Sequence, residues 1–291
     1  MINAFSCMLD IRASLGECPL WSVAEQALYW VDINAPSLNR FDPLRGDNVA
    51  MPMPESIGSY ALRKGGGFVV ALRSGLWLCD ARGKLQEKVV AAPYDPAIYR
   101  FNDGRCDPQG RFVVGTMNEK RDSDSAALYR LDNDFTLTRL FGNMTISNGL
   151  AWSPDGGTMY HADTPARTVR AFDYDAATGA PSRGRTFAHW DGDTERPDGG
   201  ATDSAGHYWC ALYGDGKLVQ LAPDGKLVAL HPLPAMCPTM CAFGGADLRT
   251  LYVTTARQKR GEAELARFPH TGGIFSMRVD VPGIPESHFQ G

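Results

Sequence analysis

The architecture of this chain follows from the stretch Ser147-Asn148-Gly149-Leu150-Ala151-Trp152-Ser153-Pro154-Asp155-Gly156-Gly157, which has a polar opening, a short apolar strand and a tight turn. Shorter versions of the same phrase occur on either side, at Asn102-Asp103-Gly104 and at Pro197-Asp198-Gly199-Gly200. The openings stand at positions 102, 148 and 198, so the spacings are 46 and 50 residues. Repeats of that length are typical of propellers and solenoids.

Strand-like runs separated by Gly, Asp and Pro turns recur along the whole chain, whereas helical patterns are scarce. Six pairs of runs are evident: 27–32 with 37–42, 67–72 with 75–79, 111–116 with 127–131, 159–163 with 169–173, 208–212 with 218–221, and 251–255 with 273–277. They predict an all-β fold, a six-bladed β-propeller, because radial closure protects the sheet edges. Residues 2–10 are expected to add a strand to the last blade. No linker composition divides residues 1–291, which predicts one domain.

Composition narrows the possible functions. The 291 residues are 44% hydrophobic with a formal net charge of −4, and no basic block is present, which argues against a nucleic-acid partner. No apolar run is long enough for a membrane helix, and the N-terminus lacks the regions of a signal peptide. The seven cysteines show no zinc-knuckle spacing and are expected to be buried thiols, which favours a cytoplasmic location.

The residues that open the inner strands are the candidates for chemistry, because in a propeller they ring one mouth of the central channel. They are Glu17, Arg100 with Asn102, Asn148, and Asp198. All except the arginine offer oxygen donors, which suit a hard divalent cation such as Ca²⁺, Mg²⁺ or Mn²⁺. Each also has a simpler interpretation as a turn former or a solvated loop residue. The equivalent places of Asn102, Asn148 and Asp198 in successive repeats favour a shared site.

The aspartates in the turns after these strands, Asp107, Asp155 and Asp203, are expected to be structural. Other catalytic patterns are missing from the sequence. The six histidines lack the spacing of a zinc peptidase, and there is neither a Gly-x-Ser-x-Gly elbow nor a phosphate-binding loop.

Seven phrases in chain order resemble those of the SMP-30/gluconolactonase/regucalcin-like family. They are Leu-Gly-Glu-Cys-Pro-Leu-Trp at 15–21, Arg-Phe-Asn-Asp-Gly-Arg at 100–105, Gly-Thr-Met at 115–117, Ile-Ser-Asn-Gly-Leu at 146–150, Pro-Asp-Gly at 197–199, Cys-Ala-Phe-Gly-Gly at 241–245 and Gly-Gly-Ile-Phe at 272–275. The resemblance implies a six-bladed propeller with one divalent metal ion on its axis, which could be Ca, Mg, Mn, Zn or Fe. It implies hydrolysis of a small-molecule sugar lactone.

The resemblance also implies roles for particular residues. Glu17, Asn148 and Asp198 look like the metal ligands, and Asp198 looks like the general base as well. The substrate-contacting pair looks like Arg100 and Asn102.

The chain departs from the family pattern after Gly-Thr-Met, where regucalcin-like members carry two consecutive acids. Here the run is Asn118-Glu119-Lys120. Lys120 could favour a substrate with an added anionic group, or Glu119 could turn inward and replace the missing acid.

Two other functions stay open at this point. A related propeller could use the same site on an ester or a phosphotriester. A third possibility is a calcium-binding or protein-binding propeller without turnover, because a fold alone does not settle function.

Overall fold

The computed structural model describes residues 4–291 and contains the six predicted units as six four-stranded antiparallel sheets. The strands are β1 (Ser6–Leu9), β2 (Gly16–Ser22), β3 (Ala27–Asp32), β4 (Ser37–Asp42), β5 (Asp47–Pro52), β6 (Ile57–Leu62), β7 (Phe68–Leu72), β8 (Gly75–Cys79), β9 (Leu85–Ala91), β10 (Tyr99–Cys106), β11 (Phe112–Asn118), β12 (Ala126–Leu131), β13 (Leu137–Met144), β14 (Ser147–Trp152), β15 (Thr158–Asp163), β16 (Thr168–Asp175), β17 (Ala180–His189), β18 (Arg196–Thr202), β19 (Tyr208–Tyr213), β20 (Lys217–Leu221), β21 (Leu227–Pro232), β22 (Pro238–Gly244), β23 (Thr250–Thr255) and β24 (Ile274–Arg278). Over the same residues one short helix occurs, α1 (Glu262–Arg267), and no helix is long and apolar enough to cross a membrane.

The sheets close into a six-bladed propeller. Five blades follow the chain order, from β2–β5 to β18–β21, and the sixth has the order β22-β23-β24-β1. The innermost strands β2, β6, β10, β14, β18 and β22 each contact the next, and β22 contacts β2 again. The prediction that residues 2–10 complete the last blade is confirmed for the part described, because β1 pairs antiparallel with β24. Residues 2 and 3 lie outside the described residues.

The apolar core lies between neighbouring blades. Trp21 of the first blade stacks on Tyr252 of the sixth, with ring centroids 5.6 Å apart. Tyr160 and Tyr208 make a similar contact between the fourth and fifth blades at 4.9 Å. The outermost strands, by contrast, are largely exposed, as in β17. Because each blade buries its faces only against its neighbours, the closed ring is the stable unit.

Every inner strand has a bulge near its opening. The register shifts between Glu17 and Leu20, between Phe101 and Gly104, between Asn148 and Ala151, and between Pro197 and Gly200, with similar shifts in β6 and β22. A bulge bends its strand and changes the direction of a side chain. In four of the six blades the bulge lies at a polar residue that lines the channel mouth: Glu17, Asn102, Asn148 or Asp198.

The C-terminal segment closes the end of the channel opposite to these openings. Gly283 bridges Asp203 and donates its N–H to Leu248, and Phe289 donates to the Leu62 carbonyl. Glu286 forms a 3.0 Å ion pair with Arg105, and both side chains are largely buried. With that end covered, the mouth at the start of the inner strands is the accessible one.

The structural role predicted for the turn aspartates is confirmed. Asp107 accepts hydrogen bonds from the backbone N–H groups of Gln109 and Arg111, and Asp203 accepts from those of Ala205 and His207. In the fourth blade the turn is one residue longer. Ser153 stands five residues after the opening, as Asp107 and Asp203 do, and Asp155 supports that turn by accepting from the Ser153 hydroxyl.

A buried histidine makes the stability of the fold depend on pH. His161 lies in β15, 2.9 Å from the Ser147 hydroxyl, and burial lowers its pKa to about 3 from the usual 6.5. The unfolded chain therefore binds a proton below about pH 6.5 that the folded chain does not bind until about pH 3. The stability contributed by neutral His161 is complete above pH 6.5 and is lost as the pH falls through that window.

We expect His161→Gln to remove this dependence while keeping a partner for Ser147. Between pH 7 and pH 4.5, the free energy of unfolding of the wild type should fall by roughly 2–3 kcal/mol more than that of the variant, at about 1.4 kcal/mol per pH unit. Urea denaturation of both proteins at the two pH values measures the difference. Parallel pH profiles would show that His161 does not carry the effect.

Candidate active site

A cavity at the open mouth of the channel collects the residues that the sequence singled out. It is lined by Glu17, Arg100, Asn102, Asn148 and Asp198, together with Leu15, Met117, Arg121, Ile146, Thr164, Arg196, Tyr213 and Gln258. The first five come from four different blades, and all of them are buried. Radial closure therefore brings together side chains that lie up to 181 positions apart, from 17 to 198.

The floor of the cavity holds buried carboxyl groups whose ionised forms the protein itself does little to stabilise. Burial and the nearby Asp103 carboxylate raise the pKa of Glu17 to about 8. Burial, followed by Glu17 and Asp103, also raises the pKa of Asp198 well above its usual value, and no hydrogen bond within residues 4–291 reaches its carboxylate. Glu17 accepts one weak bond, from the Cys18 N–H at 3.3 Å. Two desolvated carboxylates in one cavity favour a bound cation.

A chain of hydrogen bonds fixes the amides of the site. Arg100 donates to Asn102 Oδ1 at 2.7 Å, and Asn102 Nδ2 donates to Asn148 Oδ1 at 2.7 Å. Asn148 Nδ2 in turn donates to the Thr164 hydroxyl, which donates to the Pro197 carbonyl, both at 2.7 Å. The chain links the third, fourth and fifth blades. It fixes the amide of Asn148, whose oxygen has two lone pairs and can accept a second partner.

The loops that lead into the inner strands are held by aspartates at the ends of neighbouring strands. Asp32, the last residue of β3, accepts from the N–H groups of Ser14 and Leu15 at 2.8 and 3.1 Å. Asp163, the last residue of β15, accepts from the N–H groups of Thr145 and Ile146. These bonds fix the backbone just before Glu17 and Asn148, so the two side chains enter the cavity from a defined position.

Glu119 and Lys120 lie at the rim rather than on the cavity floor. The Glu119 carboxylate receives two hydrogen bonds from Arg73, at 2.7 and 3.0 Å, and lies 3.7 Å from Arg100 Nε. These bonds with Arg73 lower the Glu119 pKa. The Lys120 side chain is exposed and does not line the cavity, whereas the next residue, Arg121, does.

The residues present fit a metal ion with a preference for oxygen. Within the described chain no three His, Cys, Asp or Glu side chains are grouped as a metal site. The predicted set, however, combines two carboxylates with an amide, and its donors are all oxygens. Within residues 4–291, Glu17 accepts one weak hydrogen bond and the Asp198 carboxylate accepts none, so a cation would supply the compensation that their burial requires.

The sequence repeat did not predict several residues of the cavity. Thr164 connects two blades through its hydroxyl. Asp103 does not line the cavity, but its buried carboxyl group raises the pKa values of Glu17 and Asp198, and one of its oxygens has no partner in residues 4–291. Arg121 and Arg196 line the rim. Asp103 directly follows Asn102 in the repeated phrase, which was an available signal. The others lie in loops or at strand ends that the repeat does not share.

Comparison with known proteins agrees with this geometry. Residues 15–257 match the SMP-30/Gluconolactonase/LRE-like region, a span that holds all of the predicted site residues. The chain belongs to this family. The expected family and the expected propeller are therefore both confirmed.

Similar proteins cover the chain from end to end. It is 45% identical to 6-deoxy-6-sulfogluconolactonase of Pseudomonas putida over 293 residues, which covers 100% of both chains. It is 35% identical to regucalcin of Gallus gallus, with 98% of each chain covered. Among solved structures, a calcium-binding protein, regucalcin, from Agrobacterium tumefaciens superposes with a TM-score of 0.94 at 28% identity, covering 99% of this chain and 98% of that one.

Proposed function

We propose that this protein hydrolyses a sugar lactone to the open aldonic acid with the help of one divalent metal ion. The observation that carries the proposal is the convergence of Glu17, Asn148 and Asp198 in one cavity at the accessible mouth. Full-length similarity to a protein named as a sulfogluconolactonase supports the lactonase class. The seven free cysteines are consistent with the cytoplasmic location that we expect.

Glu17, Asn148 and Asp198 would hold the metal ion through their side-chain oxygens. When bound, the ion would supply Lewis acidity toward the lactone carbonyl and a neighbouring water molecule. Ca²⁺, Mg²⁺ and Mn²⁺ suit the oxygen donors best, while Zn²⁺ and Fe²⁺ are further candidates.

Asp198 acts as the general base in this proposal. Its carboxylate is free of hydrogen bonds from the described chain and accepts a proton from water as the water oxygen bonds to the carbonyl carbon. The bond between that carbon and the ring oxygen then breaks. The proton passes to the departing ring oxygen, so that the product is a hydroxy acid and Asp198 is regenerated.

Arg100 and Asn102 orient the substrate. The Arg100 side chain is buried, and one of its nitrogens holds Asn102 while Nε lies near Glu119. The guanidinium is therefore held in one orientation, and its other terminal nitrogen can donate to a sugar oxygen. Positioning of this kind lowers the entropic part of the barrier. Glu119 supports it by holding Arg100 from the rim, and Lys120 would contact only a substrate that reaches outward.

Acid release from a panel of aldonolactones tests the proposal. The protein is stripped with a chelator and reloaded with single divalent metals. We expect activity to fall to the spontaneous rate after stripping and to return with at least one metal. Full activity in the stripped protein would refute the metal requirement. Tight metal binding without hydrolysis of any lactone, ester or phosphotriester would favour the non-catalytic alternative, and faster hydrolysis of an aryl ester would favour the esterase.

A further inference from the structure

A second, larger cavity adjoins the proposed active site. Its volume is about 470 Å³, and it shares Arg121, Ile146, Thr164 and Arg196 with the first cavity. The remaining lining residues are Pro165, Arg167 and Asp193. Three arginines and one aspartate therefore surround it, next to a site whose own floor is acidic. A substrate that reaches from Asp198 into this space meets a positive surface.

Two of the three guanidinium groups are available to a ligand. Over residues 4–291, neither Arg121 nor Arg196 forms an ion pair or a side-chain hydrogen bond. Arg167 donates to the Gly192 carbonyl at 2.7 Å and lies 3.2 Å from Asp193. Asp193 is fully exposed and balances at most one of the three positive charges. The cavity thus keeps an excess of positive charge.

Both free arginines are carried by well-defined backbone. Arg196 is the first residue of β18, pairs with Tyr213 of β19 and stands two positions before Asp198. Arg121 follows a turn held by Asn118, whose side chain donates to Asp122 and Ser123 at 2.7 and 2.9 Å. Two guanidinium groups at one rim match a tetrahedral anion better than lysines would, because each presents a planar fork of donors.

We propose that Arg121 and Arg196, with Arg167 behind them, bind an anionic substituent of the substrate at the end of the sugar remote from the lactone carbonyl. A sulfonate and a phosphate share the required chemistry. The inference rests on the proposed lactonase function and adds a determinant of specificity to it. Unlike the Lys120 interpretation drawn from the sequence, it uses residues that line the cavity.

Three lactones test the proposal: D-glucono-1,5-lactone and its 6-phospho and 6-deoxy-6-sulfo analogues, assayed with wild type, Arg196→Gln and Arg121→Gln. We expect wild type to favour at least one anionic lactone. Each variant should lose about tenfold or more in kcat/KM on that lactone, mainly through KM, and Arg196→Gln should change less than about threefold on the neutral lactone. The two anionic lactones show which anion the site prefers.

Arg196 gives the cleaner test, because Arg121 also acts electrostatically on Asp198. Arg82→Gln is the matched control, since Arg82 is exposed in the turn between β8 and β9 at the opposite end of the ring. It should leave all three activities unchanged. The KM of wild type for the anionic lactone should also rise with salt while that for the neutral lactone stays constant.

Two results would overturn the inference while leaving the lactonase intact. One is a wild type whose kcat/KM on the neutral lactone equals its kcat/KM on both anionic lactones. The other is an Arg196→Gln variant that loses the same factor on every substrate. A wild type that hydrolyses none of the three with any metal would count against the proposed function itself, and the inference would fall with it.

Discussion

Asp198→Asn is expected to lower kcat by about 10³-fold even when the metal site is saturated, because it removes the general base. The amide keeps the shape and can still coordinate through its oxygen, but it cannot accept the proton of the attacking water. The measurement is kcat on the best lactone across a metal titration that reaches a plateau. The metal affinity should also fall. Because the plateau rate is measured with the metal site full, it reports the loss of kcat separately from the loss of metal affinity.

Glu17→Gln is the matched comparison for that experiment. It makes the same carboxylate-to-amide change in the same predicted ligand set, so it should weaken metal binding but keep most of kcat at saturation. Asp155→Asn makes the change in an exposed turn at the far end of the ring and should affect neither quantity. Equal plateau rates for Asp198→Asn and Glu17→Gln would refute the assignment of Asp198 as the base.

Gly149→Ala is expected to lower the free energy of unfolding by roughly 2–4 kcal/mol. Gly149 follows Asn148 in the bulge of β14 and has φ +65°, which costs an L-residue about 1–2 kcal/mol. A Cβ there would lie 2.6 Å from the Tyr208 hydroxyl oxygen and 2.8 Å from the Ala162 Cβ. Overpacking of this kind typically costs about 1–3 kcal/mol more. Urea denaturation at neutral pH measures the loss.

Substitutions at two other glycines separate the cost of the positive φ from the cost of overpacking. Gly46 has φ +75° but open space around it, so Gly46→Ala should show the conformational cost alone. Gly65 has neither the left-handed φ nor a close neighbour, so Gly65→Ala should leave stability nearly unchanged. A Gly149→Ala variant no less stable than Gly46→Ala would mean that the bulge adjusts to the added methyl group and that the close packing against Tyr208 is not required.

The sequence predicted the two middle strands of each blade better than the outermost strand. The runs at 27–32, 37–42 and 75–79 coincide with β3, β4 and β8, because buried strands carry continuous apolar residues. The outermost strands β5, β9, β13, β17 and β21 were not identified. They are largely exposed and contain charged residues, as Leu85–Ala91 does, so no apolar pattern marks them. Their position is set by pairing with the strand before them.

The candidate site also contains residues that the sequence predicted and residues that it did not. Residues 17, 102, 148 and 198 could be named because each opens an equivalent strand, and a repeat imposes equivalent positions around the axis. The sequence did not predict that Arg121 lines the cavity or that Arg73 forms an ion pair with Glu119. Both depend on loops that connect strands within a blade, β7 to β8 for Arg73 and β11 to β12 for residues 119–121, and the Arg73–Glu119 pair joins two neighbouring blades.

By itself, the sequence determined the repeat, the six units and the polar residues that open their inner strands, because strand periodicity and turn chemistry are local properties. Only the tertiary structure decided which of those residues share a cavity, which charges remain uncompensated there and which arginines border it. These features arise when β1 closes the ring, since closure brings distant strand openings to one axis and packs loops that have no local contact with one another.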